Sequence, residues 1–203
     1  EKDISQVKII INGAGASAIS CTRLYNSLGA DKKNIFMFDS KGLIHPSRTN
    51  LDGKKIEFAN DNMPAETTLA EALVGADVFV GLSKGNILSQ DMVKSMAKDA
   101  IVFALANPDP EIDPVLARKH AAVVATGRSD QPNQINNVLA FPGIFRGLLD
   151  AGASKITDEL LVACADAIAS CVSESQLNAS FIVPSVFDPN VVKSVADAVR
   201  KCC

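Results

Sequence analysis

The sequence predicts an α/β fold: a doubly wound, mostly parallel sheet with helices on both faces, followed by a helical C-terminal extension. Three observations predict it. The β-branched run Val7-Lys8-Ile9-Ile10-Ile11-Asn12 stops at Gly13-Ala14-Gly15-Ala16-Ser17-Ala18, where a helical pattern begins. Short apolar runs then recur at 34–39, 76–83, 101–106 and 121–125, separated by segments with helical spacing. The run Ile35-Phe36-Met37-Phe38 is apolar at successive positions, as expected of a parallel strand covered by helices on each side.

The glycine corner carries the first functional signal. Gly13 permits a tight turn. Gly15 has no side chain, so a pyrophosphate can approach the backbone there. Ala18 is small enough for the helix to lie close to the strand. Free N–H groups at the helix start, and the helix dipole, then face phosphate charge. The strand–glycine–helix order gives the Gly-x-Gly-x-x-Ala match its meaning, and it predicts a Rossmann-type dinucleotide-binding domain over residues 1–150. The second apolar run ends in Asp39, a carboxylate placed to accept the hydroxyl protons of an adenosine ribose.

The helix after the corner should bury Ala18, Cys21, Tyr25 and Leu28, with Gly29 as its stop. Residues 40–63 are polar and rich in turn formers, which predicts a long excursion at the adenosine end of the sheet. Lys41 and Arg48 in it favour a 2′-phosphate and hence NADP, whereas the charge of Asp39 opposes one; the balance favours NAD. Thr67 or Thr68 caps a short helix to Leu73, and Ser89 caps another over 90–97. Ser83-Lys84-Gly85-Asn86 follows the third strand at the end where open α/β sheets bind ligands. The fourth strand exits into Asn107-Pro108, where proline biases Asn107 towards an extended shape at the mouth of that crevice. Pro114 starts a helix to His120. Pro142-Gly143 predicts a kinked or broken helix to about Asp150. Residues 151–203 form the helical extension, packed on the same domain. Thr157 caps one helix to about Cys171, and Val191, Val192, Val195 and Val199 stripe the last.

Composition excludes several classes. The chain has 203 residues, 47% of them hydrophobic and 21% charged, as in an ordinary globular domain. A net charge of −3 without a basic patch argues against nucleic acid, and no run is long enough to span a membrane. Five cysteines, an odd number without framework spacing, point to a reducing compartment: the cytoplasm or an organelle matrix. Cys164 and Cys171 read as small buried hydrophobes, and no spacing supports a zinc site. His45 and His120 read as surface residues. With no initiator Met and the fingerprint strand near residue 1, the chain is expected to be a piece of a longer protein.

The run Pro132-Asn133-Gln134-Ile135-Asn136-Asn137 places four amide side chains within five residues. Two readings stand: turn and capping chemistry, or a fixed amide that bonds a carboxylate or carbonyl of a small substrate. Several runs together resemble the NAD(P)-binding domain of malic enzymes, in particular the shorter, bacterial-type branch. They are Asn12-Gly13-Ala14-Gly15-Ala16, Asp39-Ser40-Lys41-Gly42-Leu43-Ile44, Phe103-Ala104-Leu105-Ala106-Asn107-Pro108, Ala125-Thr126-Gly127-Arg128-Ser129-Asp130 and Asn133 through Ile144. The likeness covers nearly the whole chain. The Ala-Asn-Pro and Asn-Asn-x-x-x-Phe-Pro-Gly runs are its most specific parts.

The resemblance implies oxidative decarboxylation of malate to pyruvate and CO₂, with hydride passing from malate C2 to NAD or NADP. Mg²⁺ or Mn²⁺ in the complete enzyme would polarise the ketone of the intermediate. It implies that Asn107 and Asn137 bind the substrate carboxylate or hydroxyl. Gly13, Gly15, Ala16, Ser17 and Ala18 would hold the pyrophosphate, Asp39 the ribose, and Ser83, Asn86 and Asn136 the nicotinamide side. The family's acid Tyr, base Lys and acidic metal ligands belong to an N-terminal domain outside this sequence, whose only tyrosine, Tyr25, reads as core. The resemblance therefore implies no catalytic or metal-binding residue here, and a chain that alone does not turn over malate. The N-terminal catalytic domain would be its partner, in a homodimer or higher homo-oligomer. Two other readings share the fold: a nucleotide-binding module without chemistry, and an amino-acid-type dehydrogenase domain, against which the Asn107 and Asn136-Asn137 runs count.

Overall fold

The hydrogen-bonded frame is one six-stranded sheet. Its strands are β1 (Ile9–Asn12), β2 (Ile35–Asp39), β3 (Gly42–Leu43), β4 (Val78–Gly81), β5 (Ile101–Ala104) and β6 (Val123–Thr126). The coordinates are a computed structural model that describes residues 2–203. The sheet order is β3-β2-β1-β4-β5-β6, parallel throughout except for the β2–β3 pair. The predicted doubly wound, Rossmann-type α/β architecture is therefore present. The short edge strand β3 was read in the sequence as excursion.

Strand β1 is central. Ile9 to Asn12 pair in register with Ile35 to Phe38 on one side and with Val78 to Gly81 on the other. Alternation along the strands feeds two cores. Ile10, Phe36, Phe38, Phe79 and Val102 pack with Leu73 of helix α2 (Leu69–Leu73) and Val93 of α3 (Gln90–Lys94). Ile9, Ile11, Ile35, Met37 and Val80 pack with Ala18 and Ile19 of α1 (Ala16–Ser27). A strand buried on both faces has no polar side to alternate with, which is why these runs are continuously apolar.

Helix α1 differs in phase from the sequence expectation. Ala18, Ile19 and Thr22 are its buried residues, Cys21 and Tyr25 are half-buried, and Leu28 is 36% exposed. Thr22 fits because its hydroxyl donates to the Ala18 carbonyl, which satisfies the one polar group it brings. The helix caps at Thr68 and Ser89 follow their sequence signals, and Asp113 adds one outside the sequence expectations. Thr68 and Glu71 form a capping box on α2, Ser89 accepts from the Met92 N–H on α3, and Asp113 accepts from Val115 N–H ahead of α4 (Pro114–Ala117). The 40–63 excursion is pinned to β2 by buried Asn60, whose amide donates to the carbonyls of Lys32, Lys33 and Ile35.

By its contacts the chain divides into two compact units, one ending at Gly127 and one spanning Arg128–Cys203. The second holds α5 (Phe141–Ala151), α6 (Asp158–Ala169) and α7 (Pro189–Cys202) around Leu139, Ile144, Leu148, Leu160, Cys164, Val191, Val195 and Val199. The sequence boundary at residue 150 groups α5 with the dinucleotide-binding part. Its contacts place it in the second unit, because Gly143 and Gly147 lie directly against α7. The expected kink is a clean break. A 3-10 turn, Asn137–Leu139, ends before α5 begins, and Pro142 sits in the first turn of α5, where its missing N–H costs nothing. In α7, Val191, Val195 and Val199 are buried while Val192 is 38% exposed. No helix among the described residues is long and apolar enough to cross a membrane.

Candidate functional site

Strand order reverses around β1, whose chain successor lies on one side and β4 on the other, and a cleft of about 660 Å³ opens at the carboxyl ends there. Its walls come from the loop after β1 (Asn12 to Gly15), the end of β2 (Phe38, Asp39, Ser40) and the loop after β4 (Leu82, Ser83, Lys84). Lys55, Leu69 and Ile87 complete it, and no sequence motif marks any of the three. They sit far from the motifs in sequence, and only the folding of the 40–63 excursion and of α2 brings Lys55 and Leu69 to the cleft.

The two fingerprint glycines have different reasons to be glycine. Gly13 has φ +135°, and a Cβ there would fall 2.5 Å from the Leu82 carbonyl oxygen, so the fold itself demands glycine. A Cβ on Gly15 would meet nothing within 4 Å, and its φ of −86° suits any residue. Nothing in the protein requires Gly15 to be bare. It lines the cleft and is also the N-cap of α1, so no side chain at that position caps the first N–H groups of a twelve-residue helix. Ala16 and Ser17 are exposed beside it, and Ala18 is 1% exposed against the sheet. Asn12 donates its amide to the Ser83 hydroxyl at 2.5 Å, tying the β1 and β4 loops together.

Asp39 is heavily engaged. Arg48 donates to its two oxygens at 2.9 and 3.0 Å, Lys55 to one at 3.3 Å, and the Lys41 N–H to the other at 2.9 Å. Burial acts to raise its pKa, but the Arg48 bonds, the Lys41 N–H and Lys55 outweigh it and hold the carboxyl at about 2. Arg48 also donates to the Gly42 and Leu43 carbonyls, which makes it part of the turn; Lys55 makes the longest of the four bonds to Asp39.

Asn107 is exposed and precedes Pro108 through a cis peptide bond. Asn86 is exposed with φ +59°, and its N–H donates to the Pro110 carbonyl. Asn136 and Asn137 belong to the second unit, where the Asn136 carboxamide oxygen accepts from Val138 N–H as a turn cap and Asn137 is exposed. Of the amide cluster, Asn133 is structural. Its side chain donates to the Ala179 carbonyl and accepts from Ile182 N–H. No group of three or more His, Cys, Asp or Glu suited to a metal is found among the described residues.

A family model described as malic enzyme, NAD binding domain, matches residues 1–127 and 119–203. The chain belongs to the malic enzyme family. It is 48% identical over 201 residues to the NAD-dependent malic enzyme of Geobacillus stearothermophilus, covering 98% of this chain and 42% of that one. It is 44% identical over 218 residues to the NADP-dependent malic enzyme of Salmonella typhimurium, covering 99% and 29%. The crystal structure of Entamoeba histolytica malic enzyme superposes with a TM-score of 0.94 at 39% identity, over 99% of this chain and 43% of that one. This chain thus spans less than half the length of these relatives and corresponds to their NAD-binding domain.

Proposed function

We propose that this chain is the coenzyme-binding half of an NAD(P)-dependent malic enzyme, which oxidises malate and decarboxylates the product to pyruvate and CO₂. The observation that carries it is the bare, unobstructed corner at Gly15, in a cleft at the switch point of the sheet. Gly13 sets the turn, and Gly15 through Ala18 present main-chain N–H groups to the diphosphate. When bound there, NAD or NADP would supply the acceptor for the hydride that leaves malate C2. In the first unit, Ser83 and Asn86 serve the nicotinamide side and Asn107 donates its amide hydrogens to the substrate carboxylate or hydroxyl. In the second, the family resemblance supports a nicotinamide-side role for Asn136 and a substrate-binding role for Asn137. A neutral amide suits that task, since it bonds the acid without taking up a proton from the reaction. Among the described residues no group of three or more His, Cys, Asp or Glu suited to a metal is found, so no metal-dependent step is assigned to them. The family resemblance supports placing the acid, the base and the divalent ion in an N-terminal catalytic partner domain.

Asn137→Ala in the intact native polypeptide tests the substrate assignment. The expected result is a fall in kcat/KM for malate of about a hundredfold, in line with removal of a charge-assisted hydrogen bond of about 3 kcal/mol. Coenzyme affinity should stay within about twofold, a change of less than 0.5 kcal/mol. Malate kinetics unchanged by the substitution would refute the role.

The ribose end supports acceptance of NADP beside NAD. Asp39 already accepts four bonds, about as many as a carboxylate can. Two cations face that one carboxylate, so the corner carries a net charge of +1 where a 2′-phosphate would sit. Lys55, held by its 3.3 Å bond and lining the cleft, is the group free to turn to the phosphate. Lys55→Ala is expected to lower the ratio of NADP to NAD affinity about tenfold, as the loss of one partly screened charge pair of about 1.4 kcal/mol would. Fluorescence titration with NADPH and NADH measures it, and an unchanged ratio would remove Lys55 from coenzyme choice.

A further inference from the structure

Glu111 is a buried acid that the proposed function does not use. It has no exposed surface, and it lies just past the loop that follows β5. One carboxyl oxygen accepts the Ala106 N–H at 3.1 Å, and the other accepts the Ser83 N–H at 3.3 Å. Its carboxyl occupies the space beside Gly81, where any Cβ would overlap the carboxyl carbon and both oxygens. The last residue of β4 is therefore glycine because Glu111 fills its side-chain volume. The main chain on either side continues the join. Leu88 N–H donates to the Glu111 carbonyl at 2.9 Å, and Asn86 N–H to the Pro110 carbonyl at 3.0 Å. A Cβ on Gly85 would fall 2.6 Å from the Asp109 carbonyl oxygen, so the two loops are in close contact.

One carboxyl thus bridges two loops at the carboxyl edge of the sheet. Ser83 is the second residue of the loop after β4, and Ala106 directly precedes Asn107. We infer that Glu111 is a positioning residue: it fixes the Ser83–Asn86 and Ala106–Asn107 loops relative to each other, and thereby shapes the nicotinamide half of the cleft. The inference rests on the coenzyme reading above. The fingerprint corner and Asp39 lie at the β1–β2 end of the cleft and Ser83 and Lys84 at the β4 end, so a dinucleotide whose ADP half takes the first end leaves the second for its other nucleotide. Burial pushes the Glu111 carboxyl up, while the N–H groups of Ala106, of Glu111 itself and of Ser83 pull it down.

Glu111→Gln separates this role from a general structural one. It keeps the volume but turns one acceptor into an N–H₂ donor facing an N–H, so one loop loses its bond. Each dinucleotide is titrated beside its own ADP half: NADH with ADP-ribose, and NADPH with 2′-phospho-ADP-ribose. The expected result is an affinity for NADH and NADPH reduced about tenfold, or about 1.4 kcal/mol, with the ADP halves binding within about twofold of wild type. Equal losses for dinucleotide and ADP half, or no loss for either, would overturn the positioning role while leaving the coenzyme reading intact. Failure of the wild-type chain to bind either ADP half would instead overturn the coenzyme reading, and this inference with it. Amide hydrogen exchange of the wild-type chain supplies a test that needs no variant. The Ser83 and Ala106 N–H groups should exchange as slowly as those of β4 and β5, and exchange at the rate of an open loop would contradict the bridge.

Discussion

Gly15→Val is expected to lower the affinity for NAD and NADP by at least about a hundredfold while leaving the fold in place. The reasoning separates two kinds of glycine. At Gly15 the added side chain meets no protein atom within 4 Å and the backbone angles suit valine, so the folded state tolerates it. Glycine is a fair N-cap and valine a poor one, so the exchange costs about 1 kcal/mol, and a chain of this size shifts its Tm by only roughly 2–4 °C per kcal/mol. The same side chain stands where the diphosphate must approach. Losing two charge-assisted N–H bonds of about 1.5–3 kcal/mol each gives about a hundredfold or more in Kd. Gly13→Ala is the control, because φ of +135° and the Leu82 carbonyl oppose its Cβ in the folded protein itself. Calorimetric Kd and Tm for the two variants should therefore part company: Gly15→Val loses binding with Tm kept, and Gly13→Ala loses Tm. A Gly15→Val chain that binds coenzyme normally would show that the bare corner has no diphosphate to receive.

Gly147→Leu is expected to destabilise the second unit by about 3 kcal/mol, the upper part of the usual range for an overpacked site. Here glycine is demanded by packing between helices. A Cβ at Gly147 would lie 2.5 Å from Val199 Cβ and 2.8 Å from the Ala196 carbonyl oxygen; at Gly143 it would lie 2.5 Å from Val195 Cβ. The atoms in the way at Ala196 and Val192 are backbone, which cannot swing aside as a long side chain would. Helix α5 must then move off α7 and open the cluster of Ile144, Leu148, Val195 and Val199. The roughly 1 kcal/mol gained in helix propensity over glycine does not offset that. Heat denaturation with limited proteolysis within residues 128–203 measures the effect, and a Tm at or above that of wild type would contradict the packing account.

How far the sequence reveals this protein depends on the range of the interaction. Strand β1, the corner and the start of α1 are adjacent in the chain, and their chemistry is local, so the glycines and the apolar run are legible directly. Caps at Thr68, Ser89, Asp113 and Thr157 concern neighbours two or three residues away, and all but Asp113 were legible too. The phase of α1 was not, because which helix face turns inward is decided by the sheet it meets. Asp39 was legible as an acid at a strand tip, but its capture by Arg48 and Lys55 was not, since the loop between them had to fold first. Glu111 gave no sequence signal at all. An acid after Pro-Asp-Pro looks like one more exposed turn residue, and only the coincidence with Gly81, thirty positions earlier, reveals its burial. In the amide run, turn chemistry accounts for the cap at Asn136, Asn133 is instead a long-range tether to Ala179 and Ile182 that no local pattern announces, and the substrate role remains a proposal for Asn137.

The most direct test of the coenzyme site is a calorimetric titration of the purified chain with NAD and NADP. One saturable site per chain is predicted for both, and Lys55→Ala should cost NADP more than NAD. Absence of saturable binding of either dinucleotide at millimolar concentration, by a chain that is folded in the same buffer, would contradict the account.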